Sequence, residues 1–268
     1  MIASHAAQST AQPFDSVADA YDEWFEKSSV TRAIRNVVHK SCAKYFHPGD
    51  HLLELNCGTG TDAQFLTATG IRVTATDASP SMIERARSKL SGELASGLAE
   101  LEVLAFEDLA SLPETAFDGV LSNFGGLNCA RDPDRVLHEV ALRMKPGGAF
   151  IACLLNRRCA WEMMSFLARG KFAEALRRHR QAEVKVGHIM VPVTYYTPRS
   201  FSRLLRTYFI VEEIYGLNIL SPGPNSRGFV AKFPGITKFL LGADRFVRGL
   251  PPFSGLGDHF VVVARRRL

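Results

Sequence analysis

Leu52-Leu53-Glu54-Leu55-Asn56-Cys57-Gly58-Thr59-Gly60-Thr61-Asp62 decides the reading of this chain. A short apolar run ends in a polar, glycine-bearing turn, and a helical pattern begins at about Ala63. That is a strand, a tight loop and a helix start. Gly58 and Gly60 remove side chains where the backbone bends sharply or lets a ligand come close. The loop amides and the helix N-terminus then face whatever occupies the crevice beside them.

Outward from this unit, strands and helices alternate. Two helical stretches precede it. The first, 14–25, puts Phe14, Val17, Ala18, Tyr21 and Phe25 on one face. The second, 30–45, carries Ile34, Val37, Val38 and Cys42 and stops at Pro48-Gly49. Both suit either ordinary packing or a cover over the site. Strands are expected at about 51–55, 72–76, 101–106, 117–122 and 149–155. Helices are expected between them, at about 62–69, 81–90 and 133–144, with Gly70 and Lys145-Pro146-Gly147-Gly148 as stops. Such alternation implies a doubly wound, mostly parallel α/β sheet with right-handed crossovers.

The rhythm then changes. Residues 159–180 read as one long helix with apolar Trp161, Met164, Phe166, Leu167, Phe172 and Leu176, and many arginines. Residues 185–196 read as a strand or hairpin, 199–207 as a helix, 209–217 as a sixth strand, 233–248 as a basic amphipathic helix and 258–265 as the last strand. The expected organisation is a disordered tail at 1–12 and a cofactor-binding core with its cover helices at 13–155. An insertion at 156–197 would form a lid over the substrate, and 198–268 would complete the core sheet.

Bulk properties set the bounds. The chain has 268 residues, 46% of them hydrophobic, and a net charge of +5. That supports a sizeable core and permits an acidic partner without demanding one. No nucleic-acid signature is present, so none is expected as a partner. The five cysteines (Cys42, Cys57, Cys129, Cys153, Cys159) show no ligand spacing, which predicts reduced thiols, no metal and a cytoplasmic protein. No apolar run is long enough to span a bilayer, and residues 1–12 lack the pattern of a secretory signal.

Three acids stand where chemistry is expected. Asp77, at the end of strand two, can accept both hydroxyls of a ribose; it is also a natural carboxylate for the helix start at Ser79-Pro80. Asp108 follows strand three, where it can accept from an adenine amino group with Leu109 on the ring, or simply serve a turn. Glu54 lies inside strand one, where a charge is costly unless paired. A ligand ammonium or a neighbouring amide would satisfy it.

Taken together, these stretches resemble class I S-adenosylmethionine-dependent methyltransferases of the small-molecule type (methyltransferase type 11/25-like). Glu54-Leu55-Asn56-Cys57-Gly58-Thr59-Gly60 is similar to the family's first motif, Asp77 to its ribose acid and Glu107-Asp108 to its adenine-side acid. Phe117-Asp118-Gly119-Val120 through Asn123-Phe124-Gly125 resembles its fourth-strand motif, and the LRMKPGGAF run at 142–150 its approach to strand five. The resemblance implies a seven-stranded sheet ordered 3-2-1-4-5-7-6 with the last strand antiparallel. It implies S-adenosylmethionine as cofactor, held by Tyr21, Glu54, Asn56, Gly58, Thr59, Gly60, Asp77, Ala78, Met82, Glu107, Asp108, Leu109, Asn123, Phe124 and Gly125. Tyr21-Asp22-x-Trp24 resembles the family's cover helix, whose tyrosine hydroxyl reaches the methionine carboxylate. Asn123-Phe124-Gly125-Gly126 departs from the motif of nucleic-acid amine methylases.

Methyl transfer from a sulfonium needs alignment and dryness more than it needs a base. Should the acceptor have to lose a proton, Tyr21, His188, Tyr195, Tyr196 and His259 are the candidates, and each is equally at home as a packing or surface residue. The catalytic residue is therefore unknown from the sequence. The substrate is expected between the N-terminal helices, residues 123–129 and the aromatics of the insertion, namely Trp161, Phe166, Phe172, Tyr195 and Tyr196. An apolar, aromatic or lipid-like small molecule follows from them. The basic helices at 161–180 and 233–248 suit either a solvated lid or peripheral contact with an anionic membrane. Two other functions compete. Gly58-x-Gly60-x-x-Ala63 also satisfies a nicotinamide-dependent oxidoreductase, and the same fold can serve as a non-catalytic S-adenosylmethionine-binding module.

Overall fold

The computed structural model describes residues 14–18, 21–23, 27–112, 117–180, 183–186 and 188–268. The tail expected at 1–12, and Trp24 and Phe25 of the first expected helix, lie outside them. Helix α1 (Ser29–Tyr45) starts where the Ser28 side chain accepts from the Thr31 amide. It buries Val30, Ile34, Val38 and Cys42, a stripe at four-residue spacing. Strand β1 (His51–Leu55), helix α2 (Thr61–Ala68), strand β2 (Arg72–Asp77), helices α3 (Pro80–Lys89) and α4 (Ser91–Ala95) and strand β3 (Ala99–Val103) follow. Then come β4 (Phe117–Ser122), α5 (Pro133–Arg143) and β5 (Met144–Leu155).

Beyond β5, the expected long helix is three short ones: α6 (Ala160–Leu167), α7 (Phe172–Ala175) and α8 (Arg177–Arg180). Gly170, at φ +69°, stops the first. Its amide bonds back to Leu167, and that of Lys171 to Phe166. The reversal carries Arg177 and Arg178 onto Glu162 of α6. Strands β6 (Glu183–Val186) and β7 (Ile189–Pro192) form an antiparallel hairpin. Helix α9 (Pro198–Leu205) begins with a reciprocal Thr197–Ser200 cap. Strand β8 (Phe209–Leu217), helices α10 (Arg227–Lys232) and α11 (Pro234–Val247) and strand β9 (His259–Arg266) complete the chain.

The sheet runs β3-β2-β1-β4-β5-β9-β8. Pairings from β3 through β5 are parallel, and β9 is antiparallel to both β5 and β8. With the hairpin set aside, this is the expected order 3-2-1-4-5-7-6. Alternate residues feed two cores. Leu53, Val120, Phe150 and Val262 face one layer, while Leu52, Leu121, Ile151 and Val261 face the other. Strand β3 begins earlier than expected and ends at Val103, because residues 106–111 wind into a 3₁₀ turn. No helix among the described residues is long and apolar enough to cross a membrane. The five cysteines are free thiols, and all but Cys129 are buried.

Gly119 shows how tightly the second layer closes. A Cβ there would lie 2.4 Å from Phe46 Cε1 and 2.8 Å from the Ala149 carbonyl oxygen. That oxygen belongs to the neighbouring strand and cannot yield without breaking the β4–β5 ladder. Gly119→Ala should lower the unfolding free energy by about 1–3 kcal/mol, the usual cost of overpacking. Urea denaturation checks this, and an unchanged midpoint would refute the packing described.

Candidate active site

The carboxyl ends of β1, β2 and β4 are tied together by backbone strain and side-chain bridges. Asn56 (φ 50°), Gly58 (φ 55°) and Gly60 (φ 79°) turn the chain sharply after β1. Asn56 Oδ1 accepts from Ser122 Oγ at 2.6 Å, and its Nδ2 donates to the Asn123 carbonyl at 2.7 Å. A Cβ on Gly126 would fall 2.1 Å from Asn56 Cγ, so that glycine makes room for the bridge. Asp77 closes the other side, with Oδ2 accepting from the Gly58 amide and Oδ1 from the Ser79 amide, both at 2.9 Å. Gly60 has a different task. A Cβ there would press on Ala86 and Leu90, so it lets the loop seat against α3.

These ends open into a cavity of about 390 Å³, within the range of small-ligand sites. The structure brings Tyr21, Asn56, Gly58, Thr59, Asp77, Ala78, Met82, Glu107, Asn123, Phe124, Gly125 and His259 to its walls. Phe14 and Val17 stand beside Tyr21 as a cover, and Leu104, Ala105 and Phe106 follow β3. Four valines of the insertion, Val184, Val186, Val191 and Val193, face the opening. Pro224, Asn225 and Arg227 close the far end.

The structure places several of the expected residues away from the cavity wall. Glu54, Gly60, Asp108 and Leu109 are not on the cavity wall. Leu109 is wholly buried in the core with Val120 and Val136, because the 3₁₀ turn at 106–111 rotates it inward and leaves Phe106 and Glu107 toward the cavity. His188 sits exposed at the hairpin tip. Tyr195 lies under the Arg178 guanidinium, and Tyr196 packs on Phe201 in the core. None of Trp161, Phe166, Phe172, Tyr195 and Tyr196 lines the cavity. Trp161 packs edge-on against Phe229, and Phe172 faces solvent at 69% exposure. The hairpin valines, not these aromatics, line the cavity.

Charge is concentrated beneath the carboxyl ends of β1 and β2. Asp62, which opens α2, meets Arg35 Nη1 at 2.8 Å, His39 Nε2 at 2.6 Å and Asn123 Nδ2 at 2.9 Å. Burial pushes its carboxyl up, but Arg35 and His39 override this and bring it down to about 2. Glu54 has no such help. Burial holds its carboxyl well above the usual range, reinforced by Asp62 and opposed by Arg35. Its Oε2 is buried without a hydrogen-bond partner. Burial likewise pushes Asp77 up to about 6, against the two amides it accepts from. Asp62 and Arg35 both line the cavity, and the sequence reading missed them. Asp62 could have been found from its place just after the motif. Arg35 gives no signal among 32 lysines and arginines.

The opposite wall is held by a buried ion network. Arg178 Nη2 meets Asp258 Oδ1 at 2.5 Å and Glu162 Oε2 at 2.9 Å, while Arg177 forks onto both Glu162 oxygens at 2.7 Å. Burial pushes the Asp258 carboxyl up, but Arg178 and His259 hold it far below the ordinary range. Asp258 Oδ2 stands 2.8 Å from Nδ1 of His259. Cys159, Glu162 and Asp258 also lie close enough together to suggest a metal cluster. The guanidinium already bridges both carboxylates, so the group reads as an ion network.

Residues 53–152 match the family described as a methyltransferase domain (Methyltransf_11). The chain carries a class I S-adenosylmethionine-dependent methyltransferase domain. Demethylmenaquinone methyltransferase of Symbiobacterium thermophilum is 33% identical over 145 residues, 53% of this chain and 56% of that protein. Ubiquinone biosynthesis O-methyltransferase of Xanthomonas oryzae is 32% identical over 109 residues, 41% of this chain and 44% of that protein. The chain thus spans about half the length of such curated relatives. Among solved structures, Haemonchus contortus phosphoethanolamine N-methyltransferase 2 in complex with S-adenosyl-L-methionine is similar in fold. It has a TM-score of 0.58 at 15% identity, covering 94% of this chain and 57% of that one. The domain match sets aside the nicotinamide alternative.

Asp77 gives two expected outcomes. Asp77→Ala should weaken binding of S-adenosylhomocysteine by about 1.5–3 kcal/mol, the scale of lost charge-assisted hydrogen bonds; calorimetry checks it. The second concerns pH. A carboxyl raised from 3.8 to about 6 in the fold adds stability below the unfolded value and loses it as pH climbs through about 6. Hydroxyl donors prefer the ionised form, so cofactor affinity should rise over the same window while the free protein loses stability. Asp77→Asn should flatten the affinity profile; an unchanged slope would assign it to another group.

Proposed function

We propose that this chain transfers the methyl group of S-adenosylmethionine to a small apolar, ring-bearing or lipid-like acceptor. The observation that carries this reading is the cavity's mixed lining. The acids Asp77 and Asp62 share it with four valines of the insertion, Val184, Val186, Val191 and Val193, and with Asp258 and His259. The residues present fit the cofactor. Asp77 would take the ribose hydroxyls, and Glu107 with Leu104 and Phe106 the adenine. Tyr21 and Arg35 would take the methionine carboxylate. The uncompensated Glu54 carboxyl lies close enough in the fold to favour a cationic ligand, without touching the cavity wall. The relatives named for demethylmenaquinone and ubiquinone biosynthesis support an acceptor with a hydroxylated ring and a greasy tail.

The cofactor, when bound, supplies an activated methyl carbon for in-line displacement. The chain's own task is alignment and exclusion of water, which the valine wall and the Phe14, Val17 and Tyr21 cover provide. His259 is the one proposed base that the fold keeps both on the cavity and beside an ionised carboxylate. Asp258 Oδ2 stands 2.8 Å from its Nδ1, an electrostatic contact without hydrogen-bond alignment, and its imidazole is the proton acceptor for a ring hydroxyl or an adjacent carbon acid.

The test is transfer of labelled methyl groups to prenylated hydroxyquinols of benzene and naphthalene type, read by label in the organic phase. His259→Gln should lower kcat by about 10²-fold with cofactor affinity unchanged, the usual worth of a positioned base. Cofactor binding without transfer to any acceptor would favour the non-catalytic module instead.

A further inference from the structure

Helix α11 packs half-buried Leu240, Leu241 and Val247 inward, yet turns its largest apolar side chains outward. Its buried residues are polar, Thr237 and Asp244, one heptad apart on the inner face. Its outer face carries Ile236, Phe239 and Phe246, with Leu250 just beyond; Phe239 is 74% exposed and Phe246 68%. Phe233 and Phe253 add exposed rings at either end. A helix that turns phenylalanine outward and aspartate inward is not shaped to stand in water.

The charges on the outer face of the helix have one sign. Between 227 and 250 the basic residues are Arg227, Lys232, Lys238, Arg245 and Arg248, and the sole acid is Asp244. Asp244 is turned inward, accepting from the amides of Ile219 and Leu220 and from Ser221. Its negative charge therefore does not reach the outer face. Arg245 lies over the Phe246 ring at 4.5 Å and Lys232 over Phe233 at 5.3 Å, with apolar bodies and charged tips side by side. Next to Phe246 and Leu250 a groove of about 450 Å³ is lined by Lys40, Lys44, Arg245 and Arg248, with the one acid on its wall, Glu213, paired to Lys44. It offers cationic donors with an apolar rim.

We infer that α11 and the adjoining groove dock the protein on an anionic lipid bilayer, with Phe239 and Phe246 in the acyl boundary and the basic residues among the headgroups. Protein interfaces deplete charge at their apolar centre. Here lysine and arginine are threaded between the rings, which is the pattern of an interfacial helix. The same segment reaches the active site, since Arg227 at the start of α10 lines the cavity. The inference does not depend on which acceptor is methylated.

Co-sedimentation of the full chain with vesicles tests it. One set is phosphatidylcholine alone; the other contains about one third phosphatidylglycerol, enough for a strong surface potential. The wild type should pellet only with the acidic vesicles, and less so as salt is raised. The variant with Phe239→Glu and Phe246→Glu should lose at least about tenfold in vesicle affinity while retaining calorimetric cofactor binding, which reports its fold. Absence of pelleting with either vesicle, or equal pelleting of the variant, overturns the inference. So does a wild-type dimer in light scattering that the variant converts to a monomer without any vesicle binding, because the face then belongs to a second copy. Each of these failures leaves the methyl-transfer assay unaffected.

Discussion

Three carboxylates stand within a few residues of the first two strand ends, in a region of low dielectric. Asp62 is satisfied by Arg35, His39 and Asn123. Glu54 and Asp77 are not offset by any comparable cation, and burial raises both. Placing so much acid under one cavity is costly unless something cationic or rich in donors arrives. The left-handed turns at Asn56 and Gly58, the Asn56–Asn123 bridge and Tyr21 border the same cavity. A cationic or donor-rich ligand would favour the ionised form of both Glu54 and Asp77.

A second electrostatic device serves the other half. The insertion could have hung loosely from the sheet. Instead Arg178 reaches into the core, where it binds the Asn156 and Asp258 carbonyls as well as the Asp258 carboxylate. Asn128 adds a neutral clamp, donating to the Leu155 and Thr194 carbonyls and accepting from the Leu155 amide. The valine wall and His259 are thus placed by the same pair of anchors. Removing one partner from the arginine network would strand a buried charge, which costs more than the pair contributes when intact.

The sheet was legible because its signals are local. Asp or Asn stands at the carboxyl ends of β1, β2, β4, β5 and β8, and strands 117–122 and 209–217 fall where the sequence puts them. The polar turn after β1 and the acid after β2 needed no tertiary knowledge either. Other features depended on it. The long insertion helix has continuous apolar periodicity, and only the left-handed Gly170 and the pull of Glu162 on two arginines break it. Leu109 and Phe106 are both plausible neighbours for a ring, and a 3₁₀ turn decides between them. Arg35 reaches the cavity from α1, an element whose sequence speaks only of packing.

The hairpin that lines the cavity is a ribbon of two strands, with Val184 opposite Val191 and no third strand beside it among the described residues. Nothing in the main ladder depends on its side chains. Natural variation can therefore redraw that surface one branched methyl at a time while the nucleoside end stays fixed. A lineage built this way would diversify its chemistry by editing a detachable panel, leaving the frame that holds it under separate selection.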